Sequence, residues 1–100
     1  MITIHYQKSG HSHRVTVDGH AGYSDRGNDI VCAAVSAISW TLIGYLMEEE
    51  ADYTAAEAET GHLEVSCTGE MAEDAFSMAV LGYQQIEKKY PQCVEVHMAE

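Results

Sequence analysis

One histidine and one cysteine, twelve residues apart, are the residues of this chain best suited to chemistry. His20 stands in Gly19-His20-Ala21, at the end of a strand-like run. Cys32 stands in Asp29-Ile30-Val31-Cys32, where an uncharged helical run begins. A cysteine in the first turn of a helix meets unpaired backbone N–H groups and the positive end of the macrodipole, which favour thiolate over thiol. A histidine folded back onto it takes the proton, and the two become an activated nucleophile with its base. Such a pair attacks acyl carbons, so peptide hydrolysis and acyl transfer are both within its chemistry.

Two neighbours are candidate supports. Asp29, as an N-cap, accepts an N–H from the first helical turn. As a third member it would orient His20 and stabilise its imidazolium. Placed too close to Cys32 it would oppose ionisation of the thiol. The expectation is a structural cap with a secondary orienting effect. Ser36 follows Cys32 by one turn on the same helix face and reaches the site from there, although a hydroxyl bonded back to the helix backbone is the plainer account. The backbone N–H of Cys32, or of a neighbour in that turn, is the natural donor to an oxyanion. Gly19, Gly22 and Gly27 space the loop from Asp18 to Asn28, which suits either a movable lid or a plain connection.

The other reactive side chains read as structural. Cys67 and Cys93 fit small core residues. His11-Ser12-His13 lies in or beside a turn with no further ligand close by, so no metal site and no cofactor is expected. His5, His62 and His97 alternate with apolar neighbours and are expected on the solvent side of strands.

These residues need a scaffold, and the hydrophobic pattern supplies one. Ile2, Ile4 and Tyr6 alternate with polar residues, as do Val15 and Val17, with Lys8 to Ser12 between them as a turn, which predicts a hairpin. A first helix runs from its cap at Asp29 to about Glu49. Its apolar residues surround nearly the whole cylinder, which predicts a central buried helix, and Gly44 predicts close approach of another backbone. Ile30 to Met47 carries no charge, at the lower limit for a membrane span, but Ser36, Ser39, Thr41 and Gly44 interrupt it. Short strands follow near Tyr53–Ala58 and His62–Cys67, with Thr60-Gly61 at their turn. A second helix opens at Thr68 or Gly69, repeats Ala72, Ala75, Phe76, Ala79, Tyr83 and Ile86 along one side, and stops before Pro91. Val94, Val96 and Met98 alternate as a last strand. The order ββαββαβ implies an α+β fold, two helices packed on a five-stranded mixed sheet, in one domain spanning residues 1–100.

Composition narrows the function. Sixteen acidic against five basic residues give a formal charge of -11, which argues against binding a nucleic-acid backbone; the same field would draw in a basic partner, although keeping a small protein soluble is the plainer account of it. Three cysteines without a CxxC pair, and a start lacking a basic and apolar leader, fit a reduced, cytoplasmic protein.

The stretch around the two reactive residues resembles the signature of the ribosomal-processing cysteine protease (Prp) family. The family pattern is Gly-His-Ala, a loop, then Gly-x-Asp-Ile-Val-Cys-Ala-Ala-Val-Ser. Here it stands as Gly19-His20-Ala21 and Gly27-Asn28-Asp29-Ile30-Val31-Cys32-Ala33-Ala34-Val35-Ser36, without departure at the matched positions. The resemblance implies Cys32 as nucleophile and His20 as base of an endopeptidase. It further implies cleavage after an aromatic residue in the N-terminal extension of a ribosomal large-subunit protein, by a homodimer. The uncharged first helix, with Trp40 and Tyr45, leaves room for a dimer face. A non-catalytic module that binds a basic ribosomal protein is the alternative from another class.

Overall fold

The computed structural model describes residues 1–25, 29–58 and 61–99. Strand β1 (Ile2–Ser9) turns at Gly10, which has a φ of 61°, into β2 (Ser12–Gly19). Helix α1 (Ile30–Glu48) leads to β3 (Asp52–Ala58) and β4 (His62–Thr68), and helix α2 (Met71–Lys89) leads to β5 (Val94–Ala99). The order ββαββαβ is the one expected. The strands lie as β3-β4-β2-β1-β5, with β1 parallel to β5 and every other pair antiparallel, so the sheet is mixed.

Alternation decides which face is covered. Ile2, Ile4 and Tyr6 of β1, Val15 and Val17 of β2, Leu63, Val65 and Cys67 of β4 and Val94 of β5 all point to one side and are buried. Helix α1 lays Val31, Val35, Leu42, Ile43 and Leu46 on that side, and α2 adds Ala72, Phe76, Val80 and Tyr83. The opposite face stays open, with His5 and His97 stacked on it at 4.9 Å between ring centroids. His13, beside the turn, shares the β2 alternation with Val15 and Val17 and is 2% exposed. Its ring forms a three-ring cluster with those of Tyr6 and Phe76, each pair of centroids 5.4–6.3 Å apart.

Helix α1 departs from the sequence expectation. It is long and apolar enough to cross a membrane by composition, yet only one face is buried, against the sheet and α2. Trp40 is 50% and Tyr45 45% exposed, and Ile30 and Met47 are exposed too. With two helices on a single sheet face, none of the described residues covers the outer side of α1. Gly44 meets no backbone, because a Cβ there would find no atom within 4 Å. The close approach lies at Gly82 of α2, where a Cβ would stand 2.8 Å from Ile38 Cδ1 of α1. Helix α2 begins after Glu70, later than Thr68 or Gly69, with Glu73 and Asp74 in its first turn and Lys88 and Lys89 in its last, as the macrodipole favours.

Candidate active site

The start of α1 is organised by one carboxylate. Asp29, in extended conformation at the N-cap, accepts from the N–H groups of Val31 and Cys32 through Oδ1, both at 3.0 Å. Its Oδ2 accepts from Tyr23 N–H at 3.0 Å and Ser24 N–H at 3.4 Å. The same side chain therefore caps the helix and fastens the preceding loop to it. These bonds, that of Cys32 foremost, hold the Asp29 carboxyl below its ordinary pKa. Among the described residues none of its hydrogen bonds goes to His20, so the geometry makes it a cap and a loop clamp.

The Cys32 N–H expected as a donor to an oxyanion is already engaged. The Val31 and Cys32 N–H groups are occupied by Asp29 Oδ1, and Ala33 N–H donates to Asp29 O at 3.1 Å. The first turn thus has no free donor at Cys32 to offer an oxyanion. The donor that reaches the thiol comes from the other side: Ala21 N–H points at Cys32 Sγ at 3.3 Å.

That bond places His20, the residue before Ala21, beside Cys32. Strand β2 carries the chain there. Its ladder with β4 ends at Asp18 opposite His62, and Gly19 N–H continues it by donating to Gly61 O at 2.8 Å. On the other side Met1 nitrogen donates to His20 O at 2.6 Å. Ala21 itself is buried, 4% exposed, which fixes the turn toward α1.

His20, Cys32 and Ser36 line one cleft of about 150 Å³ between α1 and the β3–β4 end of the sheet. Its walls include Val35 and Trp40 of α1, Glu57 and Ala58 of β3, and Gly61 and Leu63. Ser36 is exposed and faces this cleft. The back-bond expected of it is made instead by Ser39, to Val35 O at 2.8 Å, and by Thr41, to Ala37 O at 2.6 Å. Of the loop glycines, Gly19 and Gly22 have positive φ, 96° and 69°. Gly27, with Asn28, lies outside the described residues. Tyr23 packs edge-on against Tyr90 at the end of α2, 5.4 Å between centroids.

Three features escaped sequence reasoning. Glu57 and Trp40 line the cleft, and only the crossing of α1 over the sheet brings them there. His62 lies beside the site, hydrogen-bonded through Nδ1 to Asp18 Oδ1, and this contact raises its pKa above the ordinary value. His11 is exposed while His13 is buried, so the two do not converge. Among the described residues no group of three His, Cys, Asp or Glu side chains is placed to hold a metal.

The family model of the cysteine protease Prp matches residues 1–95 of the chain. No curated protein matches it by sequence. Several solved structures share its fold. An essential ribosomal processing protease Prp from Staphylococcus aureus, in complex with a covalently linked product peptide, is 22% identical over 98% of this chain and 99% of its own, with a TM-score of 0.89. The Staphylococcus aureus protease in complex with a substrate peptide is 21% identical over the same shares, with a TM-score of 0.81. A Streptococcus mutans protein is 24% identical over 100% of this chain and 96% of its own, with a TM-score of 0.80.

Proposed function

This chain belongs to the cysteine protease Prp family, and we propose that it is a cytoplasmic endopeptidase that removes the N-terminal extension of a ribosomal large-subunit protein, with Cys32 as nucleophile and His20 as base. The observation that carries the reading is the Ala21 N–H bond to Cys32 Sγ, which draws the His20 backbone against the thiol in a shared cleft. The thiolate of Cys32 attacks the peptide carbonyl carbon. The C–N bond then breaks, and protonated His20 gives its proton to the departing amine, leaving a thioester on Cys32. Water, deprotonated by His20, attacks the thioester, releases the carboxylic acid and restores the thiol. Both steps need only the two side chains and water, so no cofactor enters.

The substrate assignment draws on the relatives, described as ribosomal processing proteases and seen with substrate and product peptides. The charge of -11 favours approach of a basic ribosomal protein and repels nucleic acid. Three free cysteines fit a reducing compartment. A homodimer is supported by an apolar groove of about 550 Å³ between α1 and α2, lined by Ile38, Tyr45, Ala75, Met78 and Gly82. A second copy is the occupant that this reading assigns to it, and sedimentation of the parent beside Tyr45→Glu measures it: a dimer mass that falls to the monomer supports the assignment.

The test of the activity is mass spectrometry of a full-length, extended ribosomal substrate incubated with the chain and with Cys32→Ala and His20→Ala. A single defined cut, abolished by both substitutions, is expected. Binding by all three proteins without any cut would replace the protease reading with that of an interaction module.

A further inference from the structure

From the seat of the His20 ring we infer that Gly61, in the turn between β3 and β4, is the positioning residue that holds His20 toward Cys32. The inference rests on the reading of His20 as the base. His20 is exposed, so no core packing fixes its imidazole, and among the described residues no hydrogen bond to its side chain does so. What lies against the ring is the bare Cα of Gly61. A Cβ built there would stand 2.9 Å from His20 Nε2, closer than real Cβ atoms come to such a neighbour, and 3.0 Å from Cε1. The backbone of the same residue grips the strand that delivers the histidine, because Gly61 O accepts Gly19 N–H at 2.8 Å. The next residue, His62, is fastened to Asp18 one position before Gly19. The turn therefore holds the His20 backbone through Gly61 O and leaves the imidazole a flat seat where a side chain would otherwise be.

Two demands act on position 61, and they are separable. The φ of 82° is left-handed, which glycine takes freely and asparagine tolerates better than alanine does. The seat for the ring excludes any Cβ, asparagine's as much as alanine's. A turn glycine with no further role is thus rescued by asparagine, whereas a positioning glycine is not. The displaced atoms are the free end of an exposed side chain, so the ring swings aside and the fold survives. The imidazole then leaves its place in the cleft that it shares with Cys32, and a misplacement of about 1 Å in a catalytic group costs on the order of 100-fold.

The experiment compares Gly61→Asn and Gly61→Ala with the parent and with His20→Ala, by steady-state cleavage of the extended substrate at a temperature below every melting transition. Gly61→Asn is expected to keep a melting temperature near the parent's, with kcat down on the order of 100-fold and KM within about twofold. A nuclear Overhauser contact between the His20 ring and the residue 61 Hα, present in the parent and absent from the variant, reads the seat directly. A Gly61→Asn variant that keeps parental kcat while His20→Ala is inactive overturns the positioning role and leaves the catalytic reading standing. A His20→Ala variant that keeps parental turnover overturns both.

Discussion

Gly19 and Gly22 flank the His20–Ala21 pair, both with positive φ, yet replacing each by alanine should have different consequences. At Gly22 the φ of 69° lies in the left-handed basin and a Cβ would meet nothing within 4 Å. Gly22→Ala therefore costs the left-handed penalty alone, about 1–2 kcal/mol. At Gly19 the φ of 96° lies beyond that basin, and a Cβ would stand 2.4 Å from Met1 O, a backbone atom. Reaching ordinary contact requires a separation greater by about 1 Å. Met1 and Ile2 are not free to give it, because Met1 nitrogen donates to His20 O at 2.6 Å and Ile2 N–H to Cys93 O at 2.8 Å. Losing both bonds adds about 0.5–1.5 kcal/mol each, so Gly19→Ala should cost about 2–5 kcal/mol. In a domain of this size the melting temperature falls roughly 4–16 °C for Gly22→Ala and roughly 8–40 °C for Gly19→Ala. Thermal denaturation followed by circular dichroism measures both. Equal transitions, or a milder effect at Gly19, would refute the argument that β1 packing, and not loop freedom, requires this glycine.

Acid should act through His13 and His62 with opposite signs. Burial, partly opposed by Glu73 and reinforced by Lys8 and His11, holds His13 below its ordinary value of 6.5, so the unfolded chain takes the proton first and this contribution to stability falls as pH drops through about 6.5. Asp18 raises the pKa of His62, whose contribution is complete below the unfolded value and fades as pH rises through the folded one. Melting temperatures from pH 8 to 5 should therefore decline less in His13→Leu than in the parent, and more in His62→Gln; identical slopes in all three would discard the argument. Ser39→Ala should cost about 1–3 kcal/mol, because it leaves the Tyr83 hydroxyl, fully buried and 2.7 Å from Ser39 Oγ, without that partner. Tyr83→Phe should cost less, since Ser39 keeps Val35 O, and chemical denaturation giving the reverse order would contradict this. Asp29→Asn keeps an acceptor for the helix cap but turns an amide donor on the Tyr23 and Ser24 N–H groups, so helix content by circular dichroism should persist while turnover falls on the order of tenfold or more. Parental turnover in that variant would show that the loop clamp is dispensable.

Much of the fold was legible because period-2 and period-3.6 patterns report which face of an element is buried. The strands carrying Ile2-x-Ile4-x-Tyr6 and Leu63-x-Val65-x-Cys67 and the α2 stripe through Phe76 and Tyr83 are of this kind. His13 also obeys the pattern, two residues before Val15, but a polar ring beside a turn does not announce that it is buried. Helix α1 was illegible for the converse reason. Its apolar residues surround the axis, so periodicity cannot say which side meets the sheet, and an uncovered apolar side looks in sequence like a buried one. Close approaches are silent too: Gly44 and Gly82 are both single glycines inside helices, and only the crossing of α1 over α2 decides that Ile38 meets the second.

The site shows the same division between local and non-local information. That Asp29 caps α1 is local chemistry, and the spacing to Val31 and Cys32 predicts it. That the cap occupies both N–H groups has a consequence that spacing conceals. A carboxylate bonded to the first turn neutralises much of the positive helix end before it reaches Cys32. The Ala21 N–H, aimed at Sγ from the β2 side, takes over as the donor in contact with sulfur. Its position depends on Gly19 being held by Gly61 O and on Tyr23 and Ser24 being tied to Asp29. Asp29 thus withdraws donors from the thiol on the helix side and secures the loop that returns one from the other. The residues in contact with Cys32 are then set by the junction of β2, β4 and α1, three elements that no stretch of sequence shows together.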